Sequence, residues 1–138
     1  MKVLLHVCCG ACLKGLLDFF KEKELVLYFY NPNIEPKEEY LKKLDSVRMV
    51  AANFGLKLVE DEYENKLWHE VTDEDEEGCE IGYRMRLEKA GLVAKRMEFD
   101  ALATTLIVKN EKDIALINSV GKEVTEYLGL DFLDLKNS

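Results

Sequence analysis

The stretch VLLHVCCGAC, residues 3–12, places three cysteines directly behind a short apolar run. The apolar run predicts a buried strand over residues 3–7. The segment that follows, LKGLLDFFKEK, carries an apolar stripe at helical spacing and predicts a helix over about residues 13–22. The thiols are therefore expected in a solvent-facing turn between a strand and a helix, which is where open α/β sheets bind their ligands.

Outward from this stretch, predicted strands and helices alternate, as a parallel sheet requires. Further strands are predicted over residues 25–30, 56–59, 101–108 and 130–133. Further helices are predicted over residues 36–54, 80–99 and 111–128, and residues 60–78 are predicted to be irregular. We expect one α/β domain over residues 1–138, with a mostly parallel, doubly wound sheet of about five strands.

The composition indicates a protein of the cytoplasm. The chain has 138 residues, 48% of them hydrophobic and 33% charged, and only 2 prolines and 8 glycines. No apolar run approaches the roughly 20 residues of a membrane span, so no membrane partner is expected. In the cytoplasm, four cysteines are more often metal ligands or redox groups than a disulfide framework. The net charge of −8 disfavours non-specific binding of nucleic acid.

Several segments converge on one edge of the predicted sheet. Parallel strands end at the same edge, so the cysteine turn, Asn31 and Asn33 after the second strand, and Thr104 and Thr105 at the end of the fourth all lie there. Cys79, just ahead of a predicted helix, could reach the same edge.

Cysteine spacing alone leaves several chemistries open. The four thiols of Cys8, Cys9, Cys12 and Cys79 match the number of ligands of a [4Fe–4S] cluster. A zinc site needs the same number, although adjacent cysteines are awkward for a zinc knuckle. A redox dithiol at Cys9 and Cys12, or buried thiols without chemistry, are the other interpretations. A helix N-terminus is expected to lower the pKa of these thiols.

Three other features have modest interpretations. His6 lies within the first strand and is more often a packed core residue than a ligand. The basic residues of the predicted helix over 80–99 suit a solvated face, and the acidic run over residues 73–77 suits a solvated loop and a helix start. No glycine-rich phosphate loop follows the first strand.

Several segments, in order along the chain, resemble the QueH-type epoxyqueuosine reductases, of which the chain resembles a short, divergent member. The matching segments are LLHVCCGAC (residues 4–12), YNPNIEPKEEYLKK (residues 30–43), Trp68 in its acidic surround, GCEIGYRMRLEKAG (residues 78–91) and ATTLIVKNEKDIALIN (residues 103–118).

The resemblance implies a Rossmann-like fold of the PP-loop and nucleotide hydrolase (HUP) group. It implies reduction of an epoxide on a modified tRNA base to the alkene, with a [4Fe–4S] cluster and an additional iron near it. It further implies a substrate site in which Tyr83, Arg84 and Arg86 help to hold the nucleotide, because aromatic rings stack on bases and arginine pairs with phosphate. We expect Asn31, Asn33, Trp68, Thr104 and Thr105 to contribute to the same site. The electron donor is not implied.

The chain departs from the family pattern at two places. Gly82 stands where the family usually has a second cysteine three residues after Cys79. The family also usually continues into a basic region after the fifth strand, and these 138 residues do not include one, so weaker binding of tRNA is expected. A non-catalytic metal-binding relative, or a PP-loop-like nucleotide-binding protein with vestigial cysteines, are the alternative functions.

Overall fold

The computed structural model describes residues 1–72 and 80–135. These residues form an α/β fold built on one five-stranded sheet with the strand order β3-β2-β1-β4-β5. The strands are β1 (Lys2–His6), β2 (Glu24–Phe29), β3 (Lys57–Glu60), β4 (Ala101–Thr104) and β5 (Asp131–Phe132). All four strand pairs are parallel, which confirms the predicted fold class and a Rossmann-like order of strands.

Helices flank the sheet. The α-helices are α1 (Gly10–Lys14), α2 (Lys37–Phe54), α3 (Asn65–Val71), α4 (Glu80–Arg96), α5 (Leu106–Lys109) and α6 (Ile114–Leu128). Short 3₁₀ helices cover Leu17–Phe20 and Glu111–Asp113. Helix α2 ends at Gly55 and α6 at Gly129, both with positive φ, the left-handed conformation that glycine adopts without strain. Within the described residues, no helix is long and apolar enough to cross a membrane.

The alternation of side chains along β1 builds two apolar layers. Val3 and Leu5 belong to the larger core cluster, and Leu4 belongs to a second cluster on the other face of the sheet. In the second cluster, Ala90 and Ala94 of α4 pack beside Leu4. Such two-sided burial is typical of a central parallel strand, and it explains why β1 reads as a continuous apolar run.

The structure corrects four local predictions. The helix predicted over residues 13–22 begins earlier, at Gly10, and is interrupted by Gly15 before the 3₁₀ turn Leu17–Phe20. Strand β4 ends at Thr104 rather than at residue 108, because the Leu106 amide bonds the Thr104 hydroxyl and the chain turns into α5. The segment predicted to be irregular contains α3, and α6 begins only at Ile114.

Candidate metal centre

The cysteine loop lies at the point where the order of the sheet changes direction. Strand β1 has β2 on one side and β4 on the other, so the ends of β1 and β4 are neighbours. The Cys8 amide donates to the Thr105 hydroxyl at 3.1 Å, and the Thr105 amide donates to the His6 carbonyl at 2.9 Å. The structure therefore brings the first cysteines and the threonines together at one edge of the sheet, as the sequence predicts.

A close approach between helices fixes the position of the loop. The Gly10 amide donates to the Ser46 hydroxyl of α2 at 2.9 Å. A Cβ atom at Gly10 would lie 2.8 Å from the Ser46 carbonyl oxygen, which is closer than real Cβ contacts. Glycine is thus required here because the backbone of α2 packs directly against the start of α1. The cysteines are attached to a packed scaffold rather than to a free turn.

The three described thiols form one cluster. The sulfur atoms of Cys8, Cys9 and Cys12 all lie within 4.8 Å of one another, and the Cys9 and Cys12 sulfurs are 3.1 Å apart. All three cysteines are free thiols. Cys8 and Cys12 are buried at 8% exposure and Cys9 is half-buried, so the expectation of a solvent-facing turn is wrong for Cys8. Cys12 belongs to α1 itself, and Cys79 lies outside the described residues.

The hydrogen bonds among the thiols separate their pKa values. The bond from the Cys8 thiol holds the pKa of Cys12 below its usual range. The bond with Cys12 raises the pKa of Cys8. The bond with Cys8 raises the pKa of Cys9 to about 12. A general lowering by the helix N-terminus is therefore not seen, because α1 has only 5 residues and the mutual bonds dominate. Cys12 is therefore the thiol of the three that loses its proton most readily, and cysteines lose their protons when they bind a metal.

The donor set suits a thiophilic metal. Thiolates select iron–sulfur clusters and zinc over hard cations such as magnesium. Sulfur ligands of one tetrahedral zinc ion lie about 3.8 Å apart, given a Zn–S bond of about 2.3 Å. The sulfur atoms of Cys8, Cys9 and Cys12 lie within 4.8 Å of one another, which brackets that spacing. The described residues alone supply three thiols, so a fourth ligand has to come from elsewhere.

A small cavity of about 60 Å³ opens beside Cys8 and Cys9. Its remaining lining comes from four parts of the chain: Asn33, Ile34, Glu35, Lys43, Arg86, Leu106, Lys109 and Asn110. Two of the predicted substrate residues, Asn33 and Arg86, line it. A volume of this size admits an ion or about two water molecules, so a nucleoside would have to lie across its opening.

The other predicted substrate residues do not line this cavity. Asn31 lies behind the loop, where its side-chain amide donates to the Val7 carbonyl at 2.9 Å. Thr104 and Thr105 bond His6 and Cys8 respectively. Asn31, Thr104 and Thr105 therefore hold the end of β1 and the start of the cysteine loop through these hydrogen bonds.

The predicted substrate residues Trp68, Tyr83 and Arg84 are also outside the cavity lining. Trp68 is buried, and the Arg86 guanidinium lies 5.3 Å from the centroid of its ring. Tyr83 is fully buried, with its hydroxyl on the Asp113 carboxylate at 2.7 Å. Arg84 pairs instead with Glu123 of α6 at 2.6 Å, away from the thiols.

Sequence matches identify the family. A sequence model described as "QueH: Epoxyqueuosine reductase QueH" matches residues 3–137. This chain belongs to the QueH family. It is similar to the protein named Epoxyqueuosine reductase QueH of Thermotoga maritima, with 32% identity over 139 residues, 94% of this chain and 71% of that protein.

Two further QueH proteins show how the lengths compare. The protein of Helicobacter pylori is 30% identical over 145 residues, which cover 98% of this chain and 39% of the relative. The protein of Histophilus somni is 32% identical over 134 residues, which cover 91% and 55% respectively. The chain thus spans between about two fifths and seven tenths of the lengths of these QueH relatives.

His6 is a packed histidine beneath the QueH cysteine loop. Its Nε2 lies 2.9 Å from the Tyr30 carbonyl, which can only accept, so Nε2 carries the proton. Its Nδ1 then accepts from the Thr104 hydroxyl at 3.0 Å. Burial lowers the pKa of His6 to about 4, which keeps the ring neutral. With both nitrogens engaged, His6 orients the ends of β1, β2 and β4 rather than binding a metal.

The sequence analysis did not predict four of the residues that line the cavity, which are Glu35, Lys43, Lys109 and Asn110. Three of them had a signal: Glu35 follows β2, and Lys109 and Asn110 follow β4, at the edge where ligands bind. Lys43 lies within α2 rather than at the end of a strand, and its only signal is that it belongs to the family-like segment over residues 30–43.

Proposed function

We propose that this chain reduces the epoxide of epoxyqueuosine in tRNA to the alkene, giving queuosine. The observation that carries the proposal is the cluster of three free thiols at the sheet edge of a QueH-family fold. The reduction takes two electrons and two protons and releases the epoxide oxygen as water. The electrons come from an external low-potential electron carrier.

The proposed cofactor is a [4Fe–4S] cluster held by Cys8, Cys9, Cys12 and Cys79, with zinc as the alternative metal and an additional iron as a further possibility. When bound, the cluster supplies single electrons and an iron site that acts as a Lewis acid. The gathering of three free thiols at one edge of the sheet supports a thiolate-bound metal there. Thr105 holds the backbone and the sulfur of Cys8, at 3.1 and 3.3 Å, and so keeps that ligand in place.

Arg86 is the described residue best placed to orient a nucleotide at the thiols. Its side chain is buried at 3% exposure, and its Nε donates to the Gly82 carbonyl at 3.1 Å. Trp68 and Tyr83, each with a ring centroid 5.3 Å from the guanidinium carbon, hold the arginine in position. An oriented cation at the cavity attracts the anionic groups of tRNA.

Anaerobic purification followed by iron, sulfide and reductase measurements tests the proposal. We expect iron and acid-labile sulfide near the ratio for one [4Fe–4S] cluster, and conversion of epoxyqueuosine in tRNA to queuosine in the presence of a chemical reductant. A reconstituted protein that holds only zinc, or no metal, contradicts the cofactor.

Gly82 favours a second candidate, a cluster-binding relative without catalysis. It is a buried residue in the first turn of α4, where the family resemblance implies another thiol. A protein with a full cluster and no conversion of epoxyqueuosine would establish this second candidate.

A further inference from the structure

Among the residues that the structure describes, the cavity beside the cysteines is lined by more basic than acidic side chains. The sequence contains 19 lysines and arginines against 27 aspartates and glutamates. The described part of the cavity lining nevertheless has three cations, Lys43, Arg86 and Lys109, and one carboxylate, Glu35. Glu35 is engaged by His69 at 2.5 Å. The described lining is therefore richer in basic side chains than the chain as a whole.

Two of these cations come from opposite sides of the cysteine loop. Lys43 is in α2, the helix against which Gly10 packs, and its carbonyl accepts from the Ser46 hydroxyl that also holds the Gly10 amide. Lys109 is the last residue of α5, which follows β4 on the other side of β1. Lys109 lines the cavity together with Cys8 and Cys9.

The neighbouring lysine on α2 shows what distinguishes Lys43. Lys42 is not among the residues that line the cavity, and it pairs with Glu39 at 3.7 Å, with its side chain 76% exposed. Lys43 is half-buried, and the ion pairs found among residues 1–72 and 80–135 do not include it. A cation without a carboxylate partner at a cavity is available to an incoming anion.

We propose that Lys43 and Lys109 form a phosphate clamp, in which each lysine binds a backbone phosphate next to the modified nucleotide. The inference rests on the proposed function. Because the cavity is too small for a nucleoside, the substrate lies across its opening, and its flanking phosphates meet the lysines on the two sides. The clamp gives an acidic protein a local means of binding a polyanion and fixes the nucleotide over the thiols.

A salt titration of tRNA binding tests the clamp, because each phosphate contact contributes a defined amount to the slope of log Kd against log salt concentration. The probes are the cluster-loaded full chain and epoxyqueuosine-containing tRNA. We expect Lys43→Gln and Lys109→Gln each to reduce the slope by about 0.7–0.9 and to weaken binding about fivefold near 0.15 M salt. Lys43→Arg should restore the slope, because it keeps the charge.

Matched controls separate the clamp from a general charge effect. Lys42→Gln and Lys112→Gln remove the same charge from α2 and from the turn after α5, at residues that do not line the cavity. We expect wild-type slopes for both. Slopes that change equally in all four Gln variants overturn the clamp, as do unchanged slopes in Lys43→Gln and Lys109→Gln.

Iron content distinguishes the clamp from a role in holding the cluster. Iron and sulfide should be unchanged in Lys43→Gln and Lys109→Gln, and a loss of iron that accounts for the weaker binding overturns the clamp. A wild-type protein that converts epoxyqueuosine but has lysine-independent slopes overturns the clamp alone. A wild-type protein that binds tRNA through these lysines without conversion overturns the proposed function alone, and absence of tRNA binding overturns both.

Discussion

The cysteine cavity and the groove between α4 and α6 differ in size and in chemistry. The groove has a volume of about 500 Å³ and is lined by Leu92, Val124, Tyr127 and Leu128, with Arg84 and two glutamates. The cavity is far smaller, at about 60 Å³, and is lined by two thiols, amides and charged side chains. The larger of these two spaces is therefore not the one that contains the thiols. The thiols and several charged side chains line the smaller space, because the segments that follow β1, β2 and β4 meet there.

Arg84 and Arg86 illustrate the same difference within one helix. Two residues along an α-helix point to nearly opposite sides. Arg86 accordingly lines the cysteine cavity, whereas Arg84 lines the groove and pairs with Glu123 and Glu80. The matching sequence segment thus serves two regions of the molecule.

Removal of a thiol should produce the largest effect. Cys9→Ala, and equally Cys8→Ala, is expected to abolish cluster binding and reductase activity, because three remaining thiols cannot complete the ligand set. The metal-free variants should lose only about 1 kcal/mol of unfolding free energy, since the apolar layers are intact. Iron analysis and urea unfolding measure both effects. Glu123→Gln, in the groove, is the control and should keep its iron.

An unfolded metal-free Cys8→Ala protein would show that this cysteine is structural. That outcome would contradict the assignment of the cavity as the metal centre.

Gly10→Ala should displace the cysteine loop while leaving every cysteine in the sequence, so it tests whether the position of the loop affects iron binding. The added methyl group would lie 2.8 Å from the Ser46 carbonyl oxygen, so α1 must shift against α2. We expect a destabilisation of about 1–3 kcal/mol and reduced iron content with all thiols present. Gly15→Ala is the matched control, because its methyl group has only the Cys12 carbonyl nearby, at 3.8 Å. Equal stability of the two variants in thermal or urea unfolding would refute the close approach.

The buried His6 should make the unfolding free energy of the metal-free protein depend on pH. Its pKa of about 4 in the folded state lies below the unfolded value of 6.5, so the unfolded state binds more protons between these values. Stability is therefore full above pH 6.5 and is lost as the pH falls toward 4. Between pH 7 and pH 5 we expect a loss of about 2 kcal/mol in urea unfolding.

His6→Gln should largely remove that pH dependence, although its own stability at pH 7 will be lower. A wild-type unfolding free energy that is constant between pH 7 and pH 5 would rule out a neutral, packed His6.

Arg84 and Arg86 of α4 should give the smallest but most specific contrast. Arg86→Gln is expected to lower kcat/KM for epoxyqueuosine-containing tRNA about tenfold or more, since a charge-assisted contact to phosphate is lost. Arg84→Gln should change kcat/KM by less than about twofold, because it removes an exposed ion pair worth little. Comparable losses in both variants would show that substrate also uses the groove side of α4.

Short-range patterns in the sequence determined the fold class and the composition of the described cysteine cluster. The apolar run of β1, the alternation of strands and helices, and the glycines after α2 and α6 depend on local propensity and burial, which sequence period reports directly. The same is true of Cys8, Cys9 and Cys12, whose spacing after a strand predicts their clustering. The bounds of α1 and β4 were not predictable, because they are set by hydrogen bonds that the Gly10 amide donates to the Ser46 hydroxyl and the Leu106 amide donates to the Thr104 hydroxyl.

Only the tertiary structure decided which residues surround the thiols. Lys43 reaches the cavity because α2 packs on α1 at Gly10, Arg86 reaches it while Arg84 does not, and Thr104 and Thr105 support the loop through His6 and Cys8. These placements arise from contacts between residues 36 to 98 positions apart. Such contacts leave no periodic trace in the sequence, because each depends on how whole elements dock rather than on the residues beside it.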